Sequence, residues 1–154
     1  MVGLSHWMIQ RINWTSPFFF RSRVETISTE SLAHRLSDPS DESFVLVDVR
    51  SVSEYSVSRI PGAISKREFI DQRAQLHSKQ VIAYCTVGGR SLWFAQTCAK
   101  MGFDSINYLG SILQWCAAGH ELIGPDGEVT DRVHTHNRLF RAPRGYVRTN
   151  TQMK

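Results

Sequence analysis

The sequence predicts an α/β domain built on parallel strands, and two observations carry the prediction. Phe44-Val45-Leu46-Val47 and Val81-Ile82-Ala83-Tyr84 are unbroken apolar tetrads rich in β-branched or aromatic residues, the pattern of strands covered on both faces. Between and after them the apolar residues fall at helical spacing, and the alternation of the two patterns along the chain is the mark of a sheet flanked by helices.

Each element has a local reason. Thr26-Ile27 opens the sheet at its edge. Ser28 caps a helix with Glu30 in its first turn, and Leu32 and Leu36 fall on one face of it. A short helix is expected from Ser51 to Val57, and a short strand at Ala63-Ile64 after the turn Ile60-Pro61-Gly62. From Ser91 to Met101, Leu92, Ala95, Cys98 and Ala99 make a stripe at helical spacing that meets Gly102, a terminator. Ser105-Ile106-Asn107-Tyr108 reads as a further strand and Ser111 to Ala118 as a last helix ending at Gly119. Past the turn signal Pro125-Asp126-Gly127 periodicity fades, and residues 120–154 read as an extension lying on the domain or partly mobile.

Composition bounds the function. A chain of 154 residues with 42% apolar and 21% charged residues can bury the core of one domain with extensions, and is neither disordered, collagen-like nor a coiled coil. Its three cysteines, odd in number and widely spaced, argue against a secreted disulfide framework and for a reducing compartment, so a cytoplasmic location is expected. No apolar run approaches the roughly 18–20 residues of a spanning helix, so no membrane association is expected. Residues 1–23 carry +3 and residues 132–154 carry +6, with no acid in either, so the middle holds 4 − 9 = −5. Such basic ends are solvated extensions or meet an anionic partner. Phe140 and Tyr146 alone offer stacking surface among the C-terminal arginines, so a nucleic-acid partner is not expected. The acid-free N-terminal stretch, with its Ser and Thr, has the alternative reading of an organelle transit peptide.

Chemistry concentrates where the second apolar strand ends. Cys85-Thr86-Val87-Gly88-Gly89-Arg90-Ser91 follows it and leads into a helix, and in open parallel sheets ligands gather beyond the carboxyl ends of strands. Adjacent glycines let the backbone curl so that several N–H groups point inward, and the helix adds the partial positive charge of its N-terminus. A thiol at the start of such a loop, near an arginine, is acidified from its ordinary value near ~8.5, and the thiolate is the nucleophile. Cys98 and Cys116 lie within helical segments and read as small buried hydrophobes. His134 and His136 lack a nearby Cys or further acidic ligand after Asp131 and read as surface histidines rather than a metal site.

The ordered motifs Val47-Asp48-Val49-Arg50, Glu54, Ile60-Pro61-Gly62-Ala63, the Cys-x-x-Gly-x-Arg loop, Met101-Gly102-Phe103, Tyr108-Leu109-Gly110, Trp115 and Ala118-Gly119 resemble the rhodanese-like family of sulfurtransferases. The resemblance covers residues 24–123, between a basic N-terminal extension (1–23) and a basic C-terminal one (124–154). It implies a three-layer α/β domain with a central, mainly parallel sheet, and Cys85 as a sulfur-carrying nucleophile. Loop amides from Thr86, Val87, Gly88, Gly89 and Arg90 would hold the persulfide and an anionic donor, with the Arg90 guanidinium reinforcing them. Asp48, Arg50 and Glu54 are implied to be scaffolding, with Arg50 and Glu54 paired. The implied partners are a small sulfane-sulfur donor and a thiol, cyanide or protein acceptor, with no metal or organic cofactor.

The chain departs from the family pattern where Ser58-Arg59 stand in place of a usual Gly-His, and its Thr86 and Val87 are neutral where some thiosulfate-specific members carry basic residues. A neutral loop suits a protein persulfide or a thiol as well as thiosulfate. Two other readings compete. Cysteine phosphatases and some arsenate reductases place five residues between Cys and Arg, and here four intervene, a smaller ring that fits a sulfur atom better than a tetrahedral oxyanion. The other is an interaction or sulfur-relay module whose partner docks on Arg132 to Arg148.

Overall fold

The computed structural model describes residues 24–150. The basic segment 1–23, with its targeting reading, and the last four residues lie outside the described part. Five strands form one wholly parallel sheet in the order β1-β5-β4-β2-β3: β1 (Glu25–Thr26), β2 (Phe44–Asp48), β3 (Ile64–Ser65), β4 (Gln80–Tyr84) and β5 (Ser105–Asn107). The helices are α1 (Thr29–Leu36), α2 (Val52–Val57), α3 (Lys66–Gln72), α4 (Gly89–Lys100) and α5 (Ser111–Ala117). The tetrads are the two central strands, and as expected for such strands they are buried nearly throughout.

Alternation along the strands sorts the core into two layers. Leu46, Ile82 and Tyr84 pack with Leu32 of α1 and Ile112 and Trp115 of α5. Val45, Val47, Val81, Ala83 and Cys85 pack on the opposite face with Phe69 of α3 and Phe94, Ala95 and Cys98 of α4. Three helices start with a serine cap: the hydroxyls of Ser28, Ser51 and Ser65 accept N–H groups of the first turn, and Glu54 and Glu68 close capping boxes on the last two. The helix α3 has no counterpart in the apolar periodicity, because it buries only Phe69; its signal is the Ser65-x-x-Glu68 box.

Asp48 and Tyr84 are register partners on β2 and β4, so both turn to the α1/α5 face. There the Tyr84 hydroxyl donates to Asp48 Oδ2 (2.7 Å) and accepts the Ile60 N–H (3.1 Å). Arg50, two residues past Asp48 and therefore on its side, donates to it through Nε (2.9 Å) and Nη2 (2.6 Å), and reaches the Ser58 carbonyl (2.6 Å). The expected Arg50–Glu54 pair is thus not formed. The chain bends after β2, the Arg50 N–H bonds Asp48 Oδ1 (3.0 Å) and its guanidinium stays with the same carboxylate, while the capping box holds Glu54 on Ser51.

The residues past the last sheet strand lie on the domain. A hairpin of β6 (Leu122–Ile123) and β7 (Val129–Thr130) turns at Gly124–Gly127, and β8 (Arg132–Val133) pairs in parallel with β9 (Val147–Arg148). Leu122 and Val133 are fully buried in the same cluster as Leu46 and Tyr84, so the boundary drawn at residue 123 runs through a continuous core. Arg59 makes the join: it exchanges backbone bonds with Ile123 (2.9 Å each way), and its guanidinium donates to the Gly124 carbonyl (3.1 Å). Among the described residues no helix is long and apolar enough to cross a membrane.

Replacing Asp48 with Asn leaves the Arg50 guanidinium buried without its counter-charge, and should cost about 3–5 kcal/mol of unfolding free energy. Urea unfolding followed by circular dichroism reads this as a lowered midpoint at unchanged slope; a loss below ~1 kcal/mol would show that the pair is not a structural anchor.

Candidate active site

Cys85 ends the central strand β4, and its sulfur lies under the first turn of α4. The chain turns there through Gly88 at φ 97°, a conformation that L side chains rarely hold. A Cβ at Gly88 would stand 2.4 Å from the Leu109 carbonyl oxygen, whereas one at Gly89 would meet nothing within 4 Å. The turn brings the Gly88 N–H to 3.1 Å from Cys85 Sγ and the Ser91 hydroxyl to 3.6 Å. Burial by itself would raise the thiol, but the Ser91 hydroxyl and the amides of Ser91, Gly88 and Val87 outweigh it and hold Cys85 below its ordinary value. Burial pushes Cys98 up to about 11 and Cys116 up to about 12. All three cysteines are free thiols, and Cys85 is the one prepared to ionise.

The loop is gripped from behind by α5. The N–H groups of Ile112 and Leu113 donate to the carbonyls of Cys85 (3.1 Å) and Thr86 (3.4 Å), which satisfies donors that a helix start otherwise leaves open. Ser111 accepts the Cys85 N–H on its hydroxyl (3.0 Å) and passes its own proton to the Tyr108 carbonyl (2.9 Å). It does so at φ 53°.

Glu54 forms the side wall. Its carboxylate is buried and accepts both arms of Arg90 (2.8 Å each), the Thr86 hydroxyl (3.0 Å) and the Ser51 N–H (2.9 Å). Burial opposes its charge, but Arg90 and the Ser51 contacts hold the carboxyl far below the usual carboxylate range. Arg90, expected to reinforce the charge of the loop, has its guanidinium held by Glu54 and Thr86 and borders the pocket as a fixed positive wall. Of the five loop residues singled out, Val87 and Gly88 turn amides to the sulfur, Gly89 opens the helix and lines the pocket, and Thr86 and Arg90 tie the loop to α2.

A pocket of about 170 Å³ opens above Cys85, lined by Thr86, Val87, Gly89, Arg90, His136 and Phe140. The last two come from the loop between β8 and β9, and the sequence reading did not place them here. His134 is buried rather than exposed, and its Nδ1 accepts the His136 N–H (3.0 Å). Burial holds this imidazole below its ordinary value. His136 Nδ1 stands 3.5 Å from Glu54 Oε1. The expectation of surface histidines therefore holds for His136, which is exposed, and fails for His134: the chain continues from the buried Val133 and carries the following residues over the site. Among the described residues no three His, Cys, Asp or Glu side chains are grouped to hold a metal ion.

A family model described as the rhodanese-like domain matches residues 28–118. The chain belongs to the rhodanese-like family. A tRNA sulfurtransferase of Desulfurococcus amylolyticus is 35% identical over 73 residues, 47% of this chain and 15% of that protein. A Bacillus subtilis protein provisionally named as the sulfur carrier YrkF is 31% identical over 98 residues, 61% of this chain and 52% of its own length. The chain thus spans about half of one curated relative and much less of the other. The solved structure of the BH2092 protein from Bacillus halodurans superposes with a TM-score of 0.59 at 25% identity, covering 66% of this chain and 78% of that one. The rhodanese fold is therefore shared, and the two curated relatives are named for sulfur transfer and sulfur carriage.

Two measurements test the geometry. Gly88→Ala should cost about 2–4 kcal/mol and displace the loop, whereas Gly89→Ala should stay within ~1 kcal/mol of the parent; equal midpoints in urea would contradict the close approach to Leu109. Iodoacetamide near neutral pH should label Cys85 alone, because thiols pushed up to about 11 and 12 hold almost no thiolate. Peptide mapping that found Cys98 or Cys116 modified at a comparable rate would overturn this reading.

Proposed function

We propose that the domain is a sulfurtransferase that carries sulfane sulfur as a persulfide on Cys85. The observation that carries the proposal is the acidified Cys85 sulfur, seated at the N-terminus of α4 against the Gly88 N–H and the Ser91 hydroxyl. In the first step the Cys85 thiolate attacks the outer sulfur of a donor such as thiosulfate. The donor's sulfur–sulfur bond breaks, sulfite leaves with the electron pair, and Cys85 holds a terminal sulfur bearing the remaining negative charge. In the second step a thiophilic acceptor attacks that sulfur and Cys85 departs as thiolate, which the same donors stabilise. Thr86, Val87, Gly88, Gly89 and Arg90 make the seat, Glu54 fixes it, and Asp48 and Arg50 support it from the opposite face of the sheet. Donor and acceptor meet one pocket in turn, so ping-pong kinetics are expected.

Three observations disfavour a phosphatase or arsenate reductase. Four residues separate Cys85 from Arg90. Arg90 is committed to Glu54. Asp48, the general acid that position would suggest, is buried against Arg50 and Tyr84. The relay reading keeps its own support, because Arg132, Arg138, Arg141, Arg144 and Arg148 are all exposed on the segment that borders the pocket. A protein acceptor with an acidic face would meet them there.

Intact-mass spectrometry before and after thiosulfate is the test. The protein should gain about 32 Da, lose it to cyanide or a thiol, and gain nothing as Cys85→Ser. No adduct with thiosulfate or mercaptopyruvate would sink the sulfur-carrier reading.

A further inference from the structure

The loop from His134 to Tyr146 is built over the pocket. Its ends are fixed by the pairing of β8 with β9 and by Val133 in the core. Within it, the Thr135 N–H donates to Asn150 Oδ1 (3.0 Å), the Thr135 hydroxyl donates to the Asn137 carbonyl (3.0 Å), and Asn150 Nδ2 donates back to Thr135 Oγ1 (3.1 Å). His136 is held between these ties at φ 70°, a left-handed conformation that costs a non-glycine residue on the order of 1–3 kcal/mol and persists only where its surroundings impose it. That conformation places an imidazole on the pocket wall beside Cys85, with Nδ1 3.5 Å from the buried Glu54 carboxylate. A carboxylate beside one ring nitrogen orients the ring, selects the tautomer with its proton on that side, and leaves Nε2 as the nitrogen able to accept a proton.

We propose that His136 is the general base for a thiol acceptor, oriented by Glu54 as a carboxylate orients a histidine in hydrolytic triads. The inference rests on the persulfide cycle above and deepens its second half. An acceptor thiol R–SH gives its proton to His136 Nε2. The thiolate R–S⁻ attacks the outer sulfur of the persulfide, whose terminal sulfur has taken a proton from water (Cys85–S–SH); a new sulfur–sulfur bond forms, and the old one breaks. Cys85 leaves as thiolate with the electron pair, R–S–SH departs, and the imidazolium, half exposed to solvent, returns its proton to water. The balance needs no oxidant or reductant.

This assigns the acceptor class. A pocket with a thiolate-stabilising floor and a proton acceptor on its wall favours nucleophiles that arrive protonated, which means thiols, over nucleophiles with no proton to lose. The charged and titratable groups facing His136 are Glu54 from α2, Arg90 from α4, Cys85 from the loop and His134 from its own segment. Arg90 and Glu54 are paired with one another.

The experiment loads the protein with thiosulfate, removes the excess donor, and follows loss of the persulfide mass with two acceptors at about pH 8: 2-mercaptoethanol, which is still largely protonated there, and sulfite, which is mainly the dianion there and has no proton to give. His136→Asn tolerates the left-handed backbone and removes the base. It should slow transfer to 2-mercaptoethanol by about 10²-fold, with the deficit shrinking as rising pH supplies thiolate, and change transfer to sulfite far less. His136→Gly should show the same split and recover thiol transfer when imidazole is added. Equal slowing with both acceptors, or no slowing with either, would overturn the role of His136 while leaving the persulfide cycle standing. Failure of the unsubstituted protein to take up sulfur at all would instead remove the cycle on which the inference rests.

Discussion

The buried carboxylate of Glu54 is the constraint on which the site depends. It is tied at once to the helix that carries it, through the Ser51 box, to the nucleophile's loop, through Thr86 and Arg90, and to the C-terminal segment, through His136. A carboxylate in this position must be charged and fully solvated by protein donors, because an isolated one would cost many kcal/mol or take up a proton. That requirement fixes Arg90. A guanidinium committed to Glu54 does not swing out into the pocket, and the groups that face the Cys85 sulfur are the Gly88 amide and the Ser91 hydroxyl.

The sheet separates this chemistry from a second buried ion pair. Cys85 follows Tyr84 directly, and adjacent strand residues point to opposite faces. Tyr84 therefore takes its hydroxyl to Asp48 and Arg50 on the α1/α5 side, while Cys85 takes its sulfur under α4. The Asp48 network lies outside the pocket lining, though the Arg50 charge acts on Glu54 and Arg90, and it sets the chain's exit from β2 and holds Ser58 and Ile60. Next to them Arg59 clamps the C-terminal hairpin. Arg59 is thus where the sheet is joined to the segment that reaches the pocket.

The elements legible in the sequence were those whose reason is local. Apolar tetrads mark strands buried on both faces, serine caps mark helix starts, and Gly88-Gly89 after a buried strand marks a curled loop. The helix at Lys66–Gln72 was missed because a seven-residue helix that buries one side chain has almost no periodicity; its capping box was the signal to use. The pairing of Glu54 was misread because both Arg50 and Arg90 were available and sequence distance favoured the nearer. His136 was illegible for a different reason. Nothing in Val133-His134-Thr135-His136 says that Val133 is core and that the chain then turns back over Cys85. That turn depends on strand pairing with Val147–Arg148, each partner fifteen residues away along the chain, and on Asn150, contacts with no local pattern.

Three positive φ angles surround the pocket, at Gly88 (97°), Ser111 (53°) and His136 (70°). The glycine holds its conformation at little cost, and it alone of the three announces itself in the sequence. The other two are the only non-glycine residues with positive φ among those described, and each is compensated by a contact at the site. The Ser111 hydroxyl takes the Cys85 N–H, so a glycine there would relax the backbone but leave a buried donor open. The His136 N–H is taken by His134 and its ring stands against Glu54. Strain confined to residues that bond the Cys85 backbone or line the pocket is what a structure selected for a site, rather than for stability alone, is expected to retain.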